Sequence, residues 1–218
     1  MKRTTALSAL ALTSALALAS CTDAAEDTAT GTTTATTTET AVETTSAEET
    51  SSTGASADPD VSAGHNDADV AFAEMMIPHH RQAVDMSETL LAKDGITPEV
   101  AEFARKVIDA QGPEIDRMNA MLEAWGQNPV TRAGEMAGHG NMRGMMSEED
   151  MAALDAAEGT EASRLYLEQM IRHHEGAVDM ARDEVNDGQN PEAVALAEDI
   201  IDAQESEIAE MEQLLQNL

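Results

Sequence analysis

The sequence MIPHHRQAVDM at residues 76–86 recurs as MIRHHEGAVDM at residues 170–180, with eight of eleven positions identical. A second block follows each copy in the same order: IDAQ with a downstream Glu-Ile and Met, spanning residues 108–118 in the first half and 201–211 in the second. Two ordered blocks in both halves indicate an internal duplication. We therefore expect two copies of one unit to build a common core.

The repeated segments have the apolar period of an α-helix. Apolar residues recur every seven positions from Val70 to Leu91, which places them on one helix face. Thr97 and Asn190 stand as caps before prolines, and Ser147 opens a capping box. The pattern predicts helices at about 67–92, 98–125, 148–157, 161–186 and 191–217, the third of them short and ended by Gly159.

Four long helices without any strand pattern predict an all-α fold. The two repeats, about 67–125 and 161–217, would each form a helical hairpin, and the hairpins would pack into a four-helix bundle around a pseudo-twofold axis. The bundle domain is predicted to span residues 65–218, with the short helix in the connection. Pro78 and Gly112-Pro113 should kink their helices rather than break them, because the second copy has ordinary residues there.

The chain begins with the features of a signal peptide over residues 1–20, where Lys2 and Arg3 precede a small-residue apolar run. The residues before Cys21 resemble a bacterial lipobox, in which this cysteine becomes lipidated. An ordinary secretory peptide with a chance cysteine is the alternative. Residues 21–64, rich in Thr, Ala, Ser and Glu, cannot bury a core and are predicted to form a disordered tether. We expect an extracytoplasmic lipoprotein anchored to the cell membrane.

The charge and the composition of the chain limit the classes of partner that it can bind. The net charge is −30, which excludes nucleic acid as a natural partner because phosphate contacts need Lys and Arg. The acidic surface raises the local cation concentration, although solvation alone explains most of such a charge. Aromatic residues make up 2% of the chain, whereas there are 14 methionines, an excess that calls for an explanation. The sequence leaves a homo-oligomer open.

Adjacent histidines occur in both repeats, as His79-His80 and His173-His174. Neighbours on a helix point about 100° apart, so at most one ring of each pair faces the bundle axis. A lone histidine in this position is more often a hydrogen-bonded core residue. Matched pairs flanked by thioethers in both halves favour metal ligation instead, and the flanking residues are Met76, Met86, Met170 and Met180.

Two further groups are candidate ligands. Glu114 and Glu207 follow Gln111 and Gln204 on one helix face, and near a core such groups either bind an ion or orient the His rings. The sequence does not separate these roles. The Gly-rich connection is the other group, and its soft thioethers and imidazole suit copper. A flexible linker whose methionines fold back onto the bundle is the alternative for Met136, His139, Met142, Met145 and Met146.

The repeated motifs resemble the "domain of unknown function 305" family over about residues 65–218. The resemblance implies a ferritin-like four-helix bundle, and some members are periplasmic copper-binding proteins implicated in copper resistance. It points to the four histidines and the four flanking methionines. Glu-x-x-His, the ligand motif of ferritin-type di-iron sites, does not occur in the sequence.

These observations favour a non-enzymatic binder of copper, as Cu(I) or Cu(II), that acts as a buffer, chaperone or resistance factor. A metal-dependent oxidase of ferritin-like type is the first alternative. A metal-free structural or interaction bundle, in which His and Gln form a polar core network, is the second.

Cys21→Ser should release the protein from the membrane fraction, because the substitution removes the only thiol in the chain and with it the site of acylation. Two acyl chains hold a protein stably at a membrane, since burial contributes about 0.8 kcal/mol per CH₂. Fractionation followed by immunoblotting measures the effect. A variant that still pellets with membranes would contradict the lipid anchor.

Overall fold

The computed structural model describes residues 61–131 and 142–218. These residues contain no strand and five helices: α1 (Asp67–Leu91), α2 (Pro98–Ala124), α3 (Glu148–Ala156), α4 (Gly159–Asp187) and α5 (Pro191–Gln216). Each boundary lies within two residues of its predicted place, and the predicted all-helical bundle is confirmed. The signal peptide, Cys21 and the tether up to residue 60 lie outside the described residues.

Side-chain caps account for most helix starts. Asn66 accepts a hydrogen bond from the backbone of Asp69 at 3.1 Å and donates its own N–H to the Asp69 carboxylate at 2.6 Å, which forms a capping box. Ser147 makes the same motif before α3, and Asn190 caps α5. Thr97 is the N-cap residue of α2, as predicted, but its side chain makes no capping hydrogen bond, and Pro98 begins the helix after it.

Helix-breaking residues are accommodated as the repeat predicted, with one exception. α1 continues through Pro78 and α2 through Pro113. Gly159, which was expected to end α3, instead begins α4 with φ +56°. Glycine reaches this left-handed region without the steric cost that other residues meet, which allows the chain to turn between the two helices within a short connector.

Each repeat forms a helical hairpin, with α1 packed on α2 and α4 packed on α5, and the hairpins meet mainly through α1 and α4. One core cluster contains both Met76 and Met180, and the other contains both Met86 and Met170. The start of α1 therefore lies beside the end of α4, and the start of α4 beside the end of α1. These two helices, which we call the central helices, are antiparallel. The histidine pairs lie between the two clusters.

The folded domain begins earlier than composition suggested. Val61 packs against the first core cluster, and the carbonyl oxygen of Ser62 accepts hydrogen bonds from the Trp125 indole at 3.2 Å and the Asn190 amide at 2.9 Å. Gly64 also accepts a bond from Asn190. Residues 61–64, assigned to the tether by the low-complexity composition of residues 21–64, are thus held by the packing of Val61 and by side-chain hydrogen bonds to carbonyl oxygens, which composition does not reveal.

The central helices hold the loops of the hairpins at equivalent positions. The Asp69 carboxylate on α1 accepts hydrogen bonds from the backbone of Gln189 at 3.0 Å and Asn190 at 2.8 Å, just before α5. At the matching position on α4, the Ser163 hydroxyl accepts the backbone N–H of Thr97 at 2.9 Å, just before α2. The duplication therefore places a polar acceptor at each end of the bundle. None of the described helices is both long enough and apolar enough to cross a membrane.

Glu184, near the end of α4, is a buried carboxyl that is 2% exposed. Burial, followed by the neighbouring Asp69 and Asp187 carboxylates, raises the pKa of Glu184 to about 8. At neutral pH the folded protein therefore keeps a proton on Glu184 that the unfolded chain releases.

Glu184→Gln should make the metal-free protein less sensitive to pH. In the wild type, the free energy of unfolding should fall by up to about 1.4 kcal/mol per pH unit between the ordinary carboxyl pKa and the raised one, so stability is lost as pH rises toward 8. An amide stays neutral and escapes this loss. Urea unfolding of both proteins at about pH 5 and about pH 8 measures the difference, and parallel pH profiles would contradict the expectation.

Candidate metal centre

The two central helices bring His79 and His173 together in the middle of the bundle. Their ring centroids lie 3.8 Å apart with an interplanar angle of 40°, and the residues are 0% and 1% exposed. His79 Nε2 donates to the carbonyl oxygen of Arg143 at 3.0 Å. Neither nitrogen of His173 makes a hydrogen bond, although the backbone of His79 approaches its ring without hydrogen-bonding geometry. A fully buried polar ring is therefore unpaired.

The second histidine of each pair points to the second helix of its own hairpin. His80 Nε2 lies 2.7 Å from Glu114 Oε2, and His174 Nε2 lies 2.8 Å from Glu207 Oε2. Both imidazoles are 0% exposed, whereas the two carboxylates are 23% and 20% exposed. The duplication thus produces two equivalent His–Glu pairs. Each pair connects the four buried histidines, which we call the histidine layer, to the surface.

The central rings carry no charge at neutral pH. Burial, with a smaller effect of His80, lowers the pKa of His79 to about 3, while the hydrogen bond that His79 donates to the Arg143 carbonyl opposes this shift. Burial, and then proximity to His79, also holds the pKa of His173 well below its usual range. Neutral imidazole is the form that ligates a metal, so both rings are in the ligating state without having to lose a proton.

Further buried polar atoms on the helices of both hairpins lack hydrogen-bond partners. Gln111 and Gln204 are 2% and 3% exposed, and neither amide atom of Gln111 nor the Oε1 of Gln204 has a hydrogen-bond partner. The Nδ1 atoms of His79, His80 and His174 are likewise buried and unpaired. Native proteins pair nearly all buried polar atoms. This number of buried nitrogen and oxygen atoms without hydrogen bonds therefore fits a bound metal ion.

The four flanking methionines lie on both sides of the histidine layer. Met76, Met86 and Met170 are fully buried, and Met180 is 6% exposed. Because each core cluster contains one of these residues from α1 and one from α4, the fold brings two thioethers to each side of the layer. Their present contacts are those of core side chains.

Nitrogen and oxygen ligands alone do not complete a site. Within residues 61–131 and 142–218, no three side chains of His, Cys, Asp or Glu converge in metal-binding geometry. A metal ion held in the histidine layer would therefore need sulfur ligands in addition, or a movement of the rings.

Residues 142–146 of the connection lie against the central helices at the histidines, where Arg143 accepts the hydrogen bond of His79. A Cβ atom built on Gly176 would lie 2.6 Å from the Cα of Gly144 and would overlap Arg143, and Gly144 itself has φ +76°. On the α1 side, the Gln82 amide makes hydrogen bonds of 2.9 Å and 2.7 Å with the backbone of Met146. We call residues 142–146 the covering segment.

Three of the predicted ligands from the connection are described. Met146 is 7% exposed and belongs to the core cluster around Met86, which agrees with methionines that fold back onto the bundle. Met142 and Met145 are half-buried. The other two predicted ligands, Met136 and His139, lie outside the described residues.

Gln82 and Gly176, on which the covering segment rests, were not predicted from the sequence. The sequence did contain a signal for them. Residues 82 and 176 occupy the same position in the two repeats, and Gln against Gly there is one of the three mismatches between the eleven-residue blocks. In the folded protein, Gln82 forms hydrogen bonds with the segment. Gly176 has no side chain, so the backbone of the segment can pack against it. The contact of Arg143 with His79 uses a backbone atom and has no sequence signal.

The sequence model of the family described as domain of unknown function (DUF305) matches residues 69–215. The chain belongs to this family. A DUF305 fragment from Deinococcus radiodurans is 34% identical with a TM-score of 0.63, and the match covers 70% of this chain and 98% of that one. A DUF305 protein from Streptomyces coelicolor, described as secreted, is 33% identical with a TM-score of 0.61 and coverages of 69% and 91%.

CopM is a third similar structure of this family fold. Its Cu(I)-bound form is 36% identical with a TM-score of 0.57, and its Cu(II)-bound form is 38% identical with a TM-score of 0.58; both matches cover 68% of this chain and 96% of that one. An Ag-bound form of CopM is also similar, at 33% identity. No curated protein matches the chain.

Gly176→Ala should destabilise the protein by about 1–3 kcal/mol, as overpacked positions do, because the new Cβ would overlap the backbone of Arg143 and Gly144. Gly112→Ala in α2 is the matched control. Outside its chain neighbours and its own helix backbone, no atom lies within 4 Å of its added Cβ. The gain in helix propensity is opposed by Pro113, because a proline disfavours the helical conformation of a non-glycine residue before it, so this control should lose less stability than Gly176→Ala. Urea unfolding compares the two, and a Gly176→Ala protein as stable as the wild type would show that the covering segment does not rest on α4.

Proposed function

We propose that this protein is an extracytoplasmic copper-binding lipoprotein, a buffer, chaperone or resistance factor that holds copper in the layer around His79 and His173. The observation that carries the proposal is the uncharged, unpaired His173 ring packed on His79. Leaving such a group unpaired costs about 1–3 kcal/mol, and a metal ion would supply the missing partner. The copper-bound structures of CopM support the choice of metal.

The ligands would be imidazole nitrogens and thioether sulfurs. His79 and His173 present neutral rings at the centre, and the thioethers on either side supply the soft donors that favour Cu(I). Copper bound there would be shielded from water and from exchange with other ligands. The residues proposed to hold it are His79, His80, His173, His174, Met76, Met86, Met170 and Met180.

An extracytoplasmic location is supported by the similar S. coelicolor protein, which is described as secreted. It agrees with the signal-peptide features of residues 1–20, and the membrane anchor at Cys21 is part of the proposal. The net charge of −30 would raise the local concentration of cations around the domain. These properties suit a protein that intercepts metal outside the cytoplasm.

The alternatives find less support. A ferritin-type oxidase needs converging carboxylates, and in the part of the chain that the structure describes no three acidic or histidine side chains converge. In a metal-free bundle, the histidine layer would be a polar core network, and such networks are favourable only when their members are paired. The unpaired nitrogens of His173 count against that function.

His173→Leu should leave the metal-free protein as stable as the wild type or more stable, because it removes a buried polar ring that has no partner. It should also abolish the rise in melting temperature that copper gives the wild type. Binding to the native state alone contributes about 2.7 kcal/mol at a hundredfold excess over Kd. Differential scanning calorimetry of chelated and copper-loaded protein measures both effects.

His79→Leu is the matched comparison in the same layer. It leaves the Arg143 carbonyl without a donor, so the metal-free protein should lose about 1–3 kcal/mol as well as its response to copper. A full copper response in His173→Leu would move the site elsewhere in the chain. No response in the wild type would favour the metal-free bundle.

A further inference from the structure

We propose that Glu114 and Glu207 are positioning residues that select the tautomer of His80 and His174, so that Nδ1 and not Nε2 is the nitrogen presented to the metal. This inference rests on the proposed function and identifies which atoms of the site face the ion. It also assigns the two glutamates a role other than direct ligation.

The acceptors in the structure determine which nitrogen carries the hydrogen. A carboxylate only accepts, so a neutral His80 ring that contacts Glu114 at 2.7 Å through Nε2 must carry its hydrogen there. The same holds for His174 and Glu207 at 2.8 Å. His79 reaches the same state by a different route, because its Nε2 lies 3.0 Å from a backbone carbonyl, which also only accepts.

The remaining nitrogen of each ring then bears a free lone pair. Nδ1 of His79, His80 and His174 is buried and has no hydrogen-bond partner. In the neutral imidazole that ligates a metal, a hydrogen on Nε2 leaves the lone pair on Nδ1. The lone pair of each of these rings is therefore buried in the bundle and has no hydrogen-bond donor.

The duplication tests this geometry within one molecule. The two His–Glu pairs lie on different helices and share no residue, yet they have the same atom pairing and nearly the same distance. In both pairs the imidazole is fully buried, and the carboxylate remains about one-fifth exposed. For either glutamate to ligate a buried ion, its bond to histidine would have to break.

A site built in this way has a defined selectivity. Imidazole nitrogen and thioether sulfur face the ion, while the carboxylate oxygens stay on the outer side of the rings. Hard cations such as Mg²⁺ and Ca²⁺ require oxygen ligands, whereas soft ions accept nitrogen and sulfur. The positioning of the rings therefore favours copper and silver over the abundant divalent cations.

The test is ¹⁵N NMR of the protein with labelled histidine, first metal-free and then titrated with Ag(I), a diamagnetic ion. In the metal-free protein, long-range ¹H–¹⁵N correlations should show His79, His80 and His174 with a hydrogen on Nε2 and none on Nδ1. On addition of Ag(I), the Nδ1 resonances should shift while the Nε2–H protons persist. Loss of the Nε2–H signals of His80 and His174 on binding would overturn the proposal.

Glu114→Ala and Glu207→Ala serve as controls for each other, because each variant leaves the other His–Glu pair intact. Glu114→Ala should release the tautomer of His80 but not that of His174, and it should weaken Ag(I) binding about 10- to 100-fold, as loss of a group behind a ligating histidine does. Weakened binding with an unchanged His80 tautomer would overturn the proposal, since it would make Glu114 a ligand.

The two failures can be told apart. If Ag(I) and copper leave every histidine resonance unmoved, then the proposed function fails and the metal-facing role of Nδ1 fails with it. The tautomers of the metal-free protein would still be measured directly. If metal binds but the Nε2 resonances shift, only the positioning role of the glutamates is wrong.

Discussion

The contact between His79 and His173 constrains the arrangement of the polar groups around it. Two imidazoles whose centroids are 3.8 Å apart cannot both be charged, because like charges at that distance repel strongly at low dielectric, and burial lowers the pKa of each ring. In the described part of the chain, no carboxylate is hydrogen-bonded to either ring. Acidic partners occur only one position later, on His80 and His174, and they reach toward solvent. Polarity therefore increases outward from the centre of the bundle.

A single covering segment lies on a nearly symmetric pair of helices, and this explains where the repeats must differ. The twofold relation makes residues 82 and 176 equivalent, but residues 142–146 cannot contact both in the same way. Gln82 binds the backbone of the segment by two hydrogen bonds, and Gly176 allows its backbone to approach within van der Waals distance of α4. The same segment provides the acceptor for His79. His173 has no equivalent acceptor, so the broken symmetry is the reason that one ring of the pair is left unpaired.

The helices, their boundaries and the duplication could be predicted because each rests on local sequence signals: a seven-residue apolar spacing, prolines at helix starts and a capping box. The 100° angle between neighbouring helix positions also predicted that the two histidines of a pair would separate, and His79 and His80 do face different helices. The depressed pKa of His79 could not be predicted, because its main cause is burial, which depends on helices distant in sequence. The ordered structure of residues 61–64 was not predicted for the same reason. The side chains that hold these residues by hydrogen bonds, Trp125 and Asn190, are distant in sequence.

The methionines beside the histidine layer connect stability with function. Leucine would bury a similar apolar area at Met76, Met86, Met170 and Met180, and its branched side chain is more rigid. Methionine is unbranched and adapts its shape to its surroundings, so it can pack as a core residue and still turn its sulfur toward an ion. In the described residues the histidines alone do not complete a ligand set, and adaptable sulfurs on both sides of the layer would complete it without unfolding the bundle. A rigid leucine core would hold the helices together equally well, but it would provide no sulfur atoms to bind a metal ion together with the histidines.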